Sequence, residues 1–299
     1  MSPSLSPRRP QTRKRATARD SNKEEGRKQA LRPIGVFDSG IGGLTVAAAL
    51  RELLPGENIF YIGDTARVPY GGKSQQTIER YAVEITGLLL AENAKMIVVA
   101  CNSASALAIP RLEEMLKVPV IGVIIPGAKA AIHASRNGRI GVIGTRATIF
   151  SRAYERAIRE LSPGTEVISQ ACPMLVPLIE EGWLDDAITD QVIRRYLEKL
   201  VREDIDTLVL GCTHYPLLSA ALKKFTGPDI CLVDSARNCA IAVKELLKKE
   251  KIAAPAGHLG RLQVALTDKS EGFLRIAEQA LSLQIEDIQL RTVQNAGHA

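Results

Sequence analysis

IVVACNSASA, Ile97 to Ala106, and LVLGCTHYP, Leu208 to Pro216, are the two stretches on which the reading of this chain turns. Each is a short aliphatic run that ends in a cysteine followed by small or polar residues. That is the pattern of a strand buried on both faces and opening into a loop, as in parallel α/β sheets. Ligands of such sheets bind at the carboxyl ends of the strands. Cys101 and Cys212 fall there in both stretches, beside Asn102, Ser103 and Thr213. One free cysteine in an apolar setting reads as a small buried hydrophobe. Two at equivalent points of similar stretches read as a site that uses both.

Working outward, the pattern repeats. IGVFDSG begins at Ile34 and IGVIGTR at Ile140, and each feeds an amphipathic segment closed by Pro-Gly, at Pro55-Gly56 and Pro163-Gly164. The offset of 106 residues is close to the 111 that separate the two cysteines. Such self-similarity predicts an internal duplication of one α/β unit. The expected fold is α/β, with two similar domains whose parallel sheets face a central cleft. Residues 31–125 plus 235–290 make a discontinuous first domain, 126–234 a second, and 291–299 a C-terminal tail. Within this frame the sequence predicts a helix over 103–116 interrupted by Pro110, a strand and turn in VPVIGVIIPG from Val118, and a helix in SEGFLRIAEQAL.

Composition narrows the function. The formal charge of +6 is local: residues 1–30 hold nine Lys or Arg against Asp20, Glu24 and Glu25, which accounts for the whole excess. Low in apolar residues and rich in charge, Ser and Pro, this leader is expected to be disordered, and it has no apolar h-region of a signal peptide. Nucleic-acid contact through the leader is the competing reading of its charge. An aromatic content of 4% argues against base-stacking platforms, and no apolar stretch is long enough to span a membrane. Five cysteines without CxxC spacing fit a reducing, cytoplasmic setting rather than a disulfide scaffold or a zinc site.

Two nucleotide motifs are approached and missed. After Gly40 and Gly42 the dinucleotide fingerprint needs a third glycine where Thr45 stands. Gly72-Lys73-Ser74 resembles the end of a phosphate loop, but the required first glycine is Arg67. No cofactor and no metal are therefore expected. The ionisable residues at predicted strand ends and turns are Asp38, Asp64, Glu180 and His214, each of which also suits an ordinary cap, helix end or core position. His214 follows Cys212 by two, so in an extended segment the two side chains point the same way. Two chemistries remain open: covalent thiol catalysis by Cys212 with His214 as base, and proton transfer between two thiols on opposite faces of one carbon.

Six motifs, in order, resemble the glutamate racemases of the aspartate/glutamate racemase family: DSGIGG at 38–43, GDTARVPYG at 63–71, ACNSA at 100–104, GTRAT at 144–148, CPMLVPLIE at 172–180 and GCTHYP at 211–216. The resemblance implies cofactor-independent interconversion of L- and D-glutamate, supplying D-glutamate for peptidoglycan. It implies Cys101 as the group that handles the α-proton of D-glutamate and Cys212 that of L-glutamate. Asp38 and His214 are implied as their assistants, and Asp64 and Glu180 as acidic residues linked to the site. Ser39, Tyr70, Gly71, Asn102, Ser103, Thr145, Thr148 and Thr213 match the family's substrate-holding groups, together with Asp38 and His214. GCTH, rather than the GCTE of aspartate racemases, points to glutamate. Position 103 departs from the family's usual threonine but keeps the hydroxyl. The resemblance further implies a cytoplasmic enzyme, in many members a homodimer. Some members carry a leader tied to activation by a cell-wall precursor, and some inhibit DNA gyrase; this leader's composition establishes neither.

Overall fold

The computed structural model describes residues 18–269, 285 and 288–293. Of the leader expected to be disordered, residues 1–17 lie outside the described residues, and the remainder forms α1 (Ala18–Ala30), a helix. The segment is made largely of good helix formers, and Glu24 pairs with Lys28 one turn on at 3.1 Å. Tertiary contact holds its end: Ala30 is buried and its carbonyl accepts a hydrogen bond from Lys95 Nζ at 2.5 Å. That ammonium is enclosed and also pairs with Glu57 Oε2 at 2.5 Å, while Glu57 Oε1 accepts from Ala254 N at 2.7 Å. Burial draws the Lys95 pKa below its ordinary value, and the bond to Glu57 offsets part of that. Deleting residues 1–30 is expected to leave the core cooperatively folded but less stable by about 1–3 kcal/mol, since a buried charge loses one of its acceptors. Thermal unfolding checks this; a truncated protein without a cooperative transition contradicts it.

The first unit runs β1 (Ile34–Asp38), α2 (Leu44–Leu53), β2 (Ile59–Gly63), α3 (Gln75–Ala91), β3 (Met96–Val99), α4 (Asn102–Leu107), α5 (Ile109–Met115) and β4 (Val120–Gly122), and α6 (Ile124–Ala134) follows, packed into the core of the second unit. The second runs β5 (Arg139–Gly144), α7 (Arg146–Phe150), α8 (Ala153–Leu161), β6 (Glu166–Ala171), α9 (Leu175–Glu180), α10 (Ala187–Val201), β7 (Thr207–Gly211), α11 (Ser219–Thr226) and β8 (Cys231–Asp234). Then come α12 (Ser235–Lys249), β9 (Leu262–Leu266) and β10 (Ile288–Leu290). The strands form two sheets, ordered β10-β9-β2-β1-β3-β4 and β6-β5-β7-β8, with every neighbouring pair parallel. Within each unit the order is second-first-third-fourth, so the topology repeats along with the sequence. β9 and β10 extend the first sheet beside β2, and α12 packs on α2. The helix expected in SEGFLRIAEQAL, the first 17 residues and the last six lie outside the described residues.

Helices cover both faces of each sheet, which is why the central strands read as unbroken aliphatic runs. Alternation sorts their side chains: Val36 and Val98 join one core with α2 and α12, while Phe37, Ile97 and Val99 join another with α3 to α5. In the second sheet Leu208 and Leu210 face one core and Val209 the other.

Two local expectations change. The helix expected over 103–116 is two helices, because Pro110 cannot continue a turn and instead sits at the start of α5. The turn expected in VIIPG is the opening of α6, where Pro126 falls in the first turn and needs no intrahelical partner.

Candidate active site

The register places the chemistry. Asp38 pairs with Gly63 and Phe37 with Val99, so Asp38, Asp64 and Cys101 gather at the carboxyl edge of the first sheet. Gly144 pairs with both Ala171 and Gly211, which puts Thr145, Cys172 and Cys212 one residue beyond the edge of the second. In each sheet the chain reverses its winding between the first and third strands, and the cysteine leaves the third.

Cys101 is 5% exposed and stands at the N-cap of α4. Its thiol donates to Ser39 Oγ at 3.6 Å. Burial and the nearby Asp38 charge push its pKa up to about 12, while the Ala104 amide and Ser39 pull the other way. Asp38 is wholly buried, and its Oδ2 accepts from Gly40 N at 3.0 Å in the DSGIGG turn. Burial raises its pKa too, against the charge of His214 and the turn amides. Both groups thus resist ionisation, and the Cys101 thiol keeps its proton.

Cys212, also 5% exposed, has a different partner: His214 Nδ1 lies 3.7 Å from its sulfur. The expected extended geometry is not what brings them together, since residues 212–214 form a bend and turn, with His214 at φ −78° and ψ −34°. On the far side of the ring, Nε2 is 3.1 Å from Glu180 Oε1 at the end of α9. Burial lowers the His214 pKa, but hydrogen bonds with Cys212 and Glu180, and the charges of Cys212 and Asp38, outweigh it and bring it to about 10. One thiol thus faces a carboxylate and the other an imidazolium. Cys212, His214 and Glu180 alone would also suit a nucleophile, base and orienting carboxylate.

Cross-unit contacts hold the two edges face to face. Thr213 Oγ1 donates to Asp38 Oδ1 at 3.4 Å, and Thr45 Oγ1 to the Thr213 carbonyl at 3.2 Å. Ser103 Oγ is 2.9 Å from Thr145 Oγ1 and 3.4 Å from Thr148 Oγ1, so the serine fills the hydroxyl role. Gly42 admits this approach: a Cβ there would fall 2.4 Å from His214 Nδ1 and 2.5 Å from Thr213 Oγ1. At Gly71 a Cβ would be 2.6 Å from that of Thr145. These hydroxyls and glycines lie where the carboxyl edges of the two sheets meet.

Asp64 behaves differently from Asp38. It accepts from Arg67 Nε at 2.7 Å, from Thr267 Oγ1 at 2.8 Å and from the Tyr70 hydroxyl. Arg67 also pairs with Glu84, and its guanidinium lies 4.0 Å from the centre of the Tyr81 ring. Asp64 therefore fixes the loop that carries Tyr70 and Gly71 rather than meeting a thiol. Ser74, in the near-miss phosphate loop, caps α3 by accepting from Thr77 N at 3.3 Å. Among the described residues no group of three or more His, Cys, Asp or Glu is placed to hold a metal ion. Sequence reasoning missed Arg67, Thr267 and Tyr154. Tyr154 donates to Asn102 Oδ1 at 2.8 Å across the units, yet in sequence it is one more apolar residue of an amphipathic helix.

Comparison with known proteins gives one family and close relatives. The family model described as Asp/Glu/Hydantoin racemase matches residues 44–243. The chain is 50% identical over 259 residues to a glutamate racemase of Syntrophus aciditrophicus, covering 87% of this chain and 96% of that protein. Among solved structures, a glutamate racemase isoform from Bacillus anthracis superposes with a TM-score of 0.83 at 42% identity, covering 88% of this chain and 97% of the other. A glutamate racemase from Francisella tularensis, solved in complex with D-glutamate, gives 0.83 at 36% identity over 89% and 99%.

Proposed function

The chain belongs to the Asp/Glu/Hydantoin racemase family, and we propose that it interconverts L- and D-glutamate by proton transfer between Cys101 and Cys212, without a cofactor. The observation that carries this reading is the pairing itself. Two buried thiols leave equivalent strands of two like-wound sheets, one beside a carboxylate and one beside an imidazolium. A hydrolase needs one thiol; a two-base racemase needs two, facing each other.

The chemistry follows from the asymmetry. With L-glutamate, Cys212 Sγ takes the α-proton while His214 supplies positive charge beside it. The electron pair of the broken C–H bond passes into the α-carboxylate. Cys101, whose thiol is held protonated, then delivers its proton to the opposite face and D-glutamate forms. The transfer leaves Cys212 as the thiol and Cys101 as the thiolate, which is the state from which D-glutamate reacts by the same steps backwards; proton exchange with solvent resets the pair for another L-glutamate. The carbanionic intermediate is the hard part, since no cofactor delocalises it. Hydroxyls of Ser103, Thr145, Thr148 and Thr213, already oriented by the cross-unit contacts, and that of Ser39 beside Cys101, hold the carboxylates as charge develops. Tyr70 and Gly71 shape the wall that Asp64 positions. Closure of the two units excludes water and strengthens those contacts. The D-glutamate formed serves peptidoglycan assembly in the cytoplasm, as the family resemblance implies.

The test is direct. Purified protein with L-glutamate and no added cofactor is expected to drive the circular-dichroism signal to zero, and to give the same end point from D-glutamate. Activity that dialysis against a chelator removes, and that only added metal or pyridoxal phosphate restores, would sink the cofactor-independent reading.

A further inference from the structure

Tyr154, on α8, lies outside every motif quoted above, yet it is buried where the two units meet. Its hydroxyl donates to Asn102 Oδ1 at 2.8 Å, so the single proton of the phenol is committed to that amide oxygen. The ring is packed as tightly as the hydroxyl is bonded. A Cβ on Gly211 would come within 3.2 Å of Tyr154 Cε2, and one on Gly127 within 3.1 Å of its Cε1 and hydroxyl. Gly211 precedes Cys212 and Asn102 follows Cys101, so this one side chain touches the neighbour of each thiol.

Asn102 shows what the contact does. Its side chain is buried, its Oδ1 is occupied by Tyr154, and its Nδ2 has no hydrogen-bond partner. Buried amide nitrogens are seldom left so. An amide held by its oxygen has its NH2 aimed away from the holder, here from a residue adjacent to Cys101. We infer that Tyr154 is a positioning residue. It fixes the orientation of Asn102 so that Nδ2 donates to a carboxylate of the bound amino acid. The inference rests on the reading that the cleft takes glutamate. Without the tyrosine hydroxyl the amide is free to turn over and present oxygen to the carboxylate. A donor that meets a carboxylate in ground state and transition state alike contributes uniform binding, so its loss appears in KM and spares kcat.

Tyr154→Phe removes one oxygen and keeps the ring. KM for glutamate is expected to rise about 10-fold, the range for a hydrogen bond to a charged group, with kcat within about 3-fold and the melting temperature near that of wild type. The discriminating arm is a double-mutant cycle with Asn102→Ala. If Tyr154 acts only through Asn102, Y154F adds nothing in the N102A background. An unchanged KM in Y154F, or a full further increase in the double mutant, overturns the inference. Should Y154F melt well below wild type, KM is measured at a temperature at which its circular-dichroism spectrum shows it fully folded; no rise there overturns the inference. Wild-type protein that racemises glutamate while Y154F is normal refutes only the role of Tyr154. Wild-type protein with no activity on glutamate refutes the functional reading as well.

Discussion

Alanine at either Cys101 or Cys212 is expected to lower racemisation of glutamate by about 10³-fold or more in both directions, because each turnover uses one thiol as base and the other as acid. Serine is expected to be nearly as damaging, since an alkyl hydroxyl is a far weaker acid than a thiol and a poor base at neutral pH. Loss in both directions does not by itself place the two thiols on opposite faces. Enantiomers have equal free energy, so kcat/KM must fall by the same factor either way in any variant. Elimination from a glutamate analogue with a leaving group on the β-carbon or nitrogen removes that constraint, because reprotonation is no longer needed. C101A is then expected to process the L-analogue through Cys212, and C212A the D-analogue through Cys101. Crossed preference supports opposed thiols. The same preference in both variants, or wild-type racemisation by C101A, would point instead to a single-thiol chemistry built on Cys212, His214 and Glu180.

Replacing the neighbours rather than the thiols gives the second large effect. Asp38→Asn and His214→Asn are each expected to reduce kcat/KM by about 10²-fold, the lower end for a positioned acid or base. Solvent-deuterium exchange into the recovered starting enantiomer separates them: H214N slows it for L-glutamate, and D38N for D-glutamate. Equal slowing from both enantiomers in both variants contradicts the assignment of one assistant to each thiol. His214 also carries a stability signature. Its pKa rises from 6.5 to about 10 on folding, so the stability it contributes is fully present below about pH 6.5 and is lost as pH climbs through about 10. The wild-type denaturation midpoint is expected to drop across that window, and H214N to lack that part of the drop. A pH dependence identical in both proteins would mean that the imidazole is not held in its charged form.

Much of this protein was legible in the chain itself. Buried parallel strands announce themselves as unbroken aliphatic runs because both faces meet helices, and Ile97–Ala100 and Leu208–Leu210 read that way without any structure. The duplication was legible too, since a repeated unit repeats its spacing. The family motifs carried the candidate residues.

Other features depend on side chains that are distant in sequence. The bond between His214 and Glu180 joins residues 34 apart, and that between Tyr154 and Asn102 joins residues 52 apart. Neither leaves a periodicity to read. The Cys212–His214 contact was anticipated from an extended backbone but is made by a turn, because local alternation predicts proximity without the dihedral that produces it. The helix over Ala18–Ala30 was hidden for the same reason: its composition lacks a core-forming face, and its end is fixed by Lys95, 65 residues beyond Ala30. Sequence by itself thus determined the strands and the repeat and nominated the candidate reactive groups, since those rest on local pattern and residue chemistry. Which side chain stands beside each thiol, and which one meets Asn102, is decided only by how the two sheets pack against each other. Burial and pairing are properties of the space between units, and no single stretch of chain contains that space.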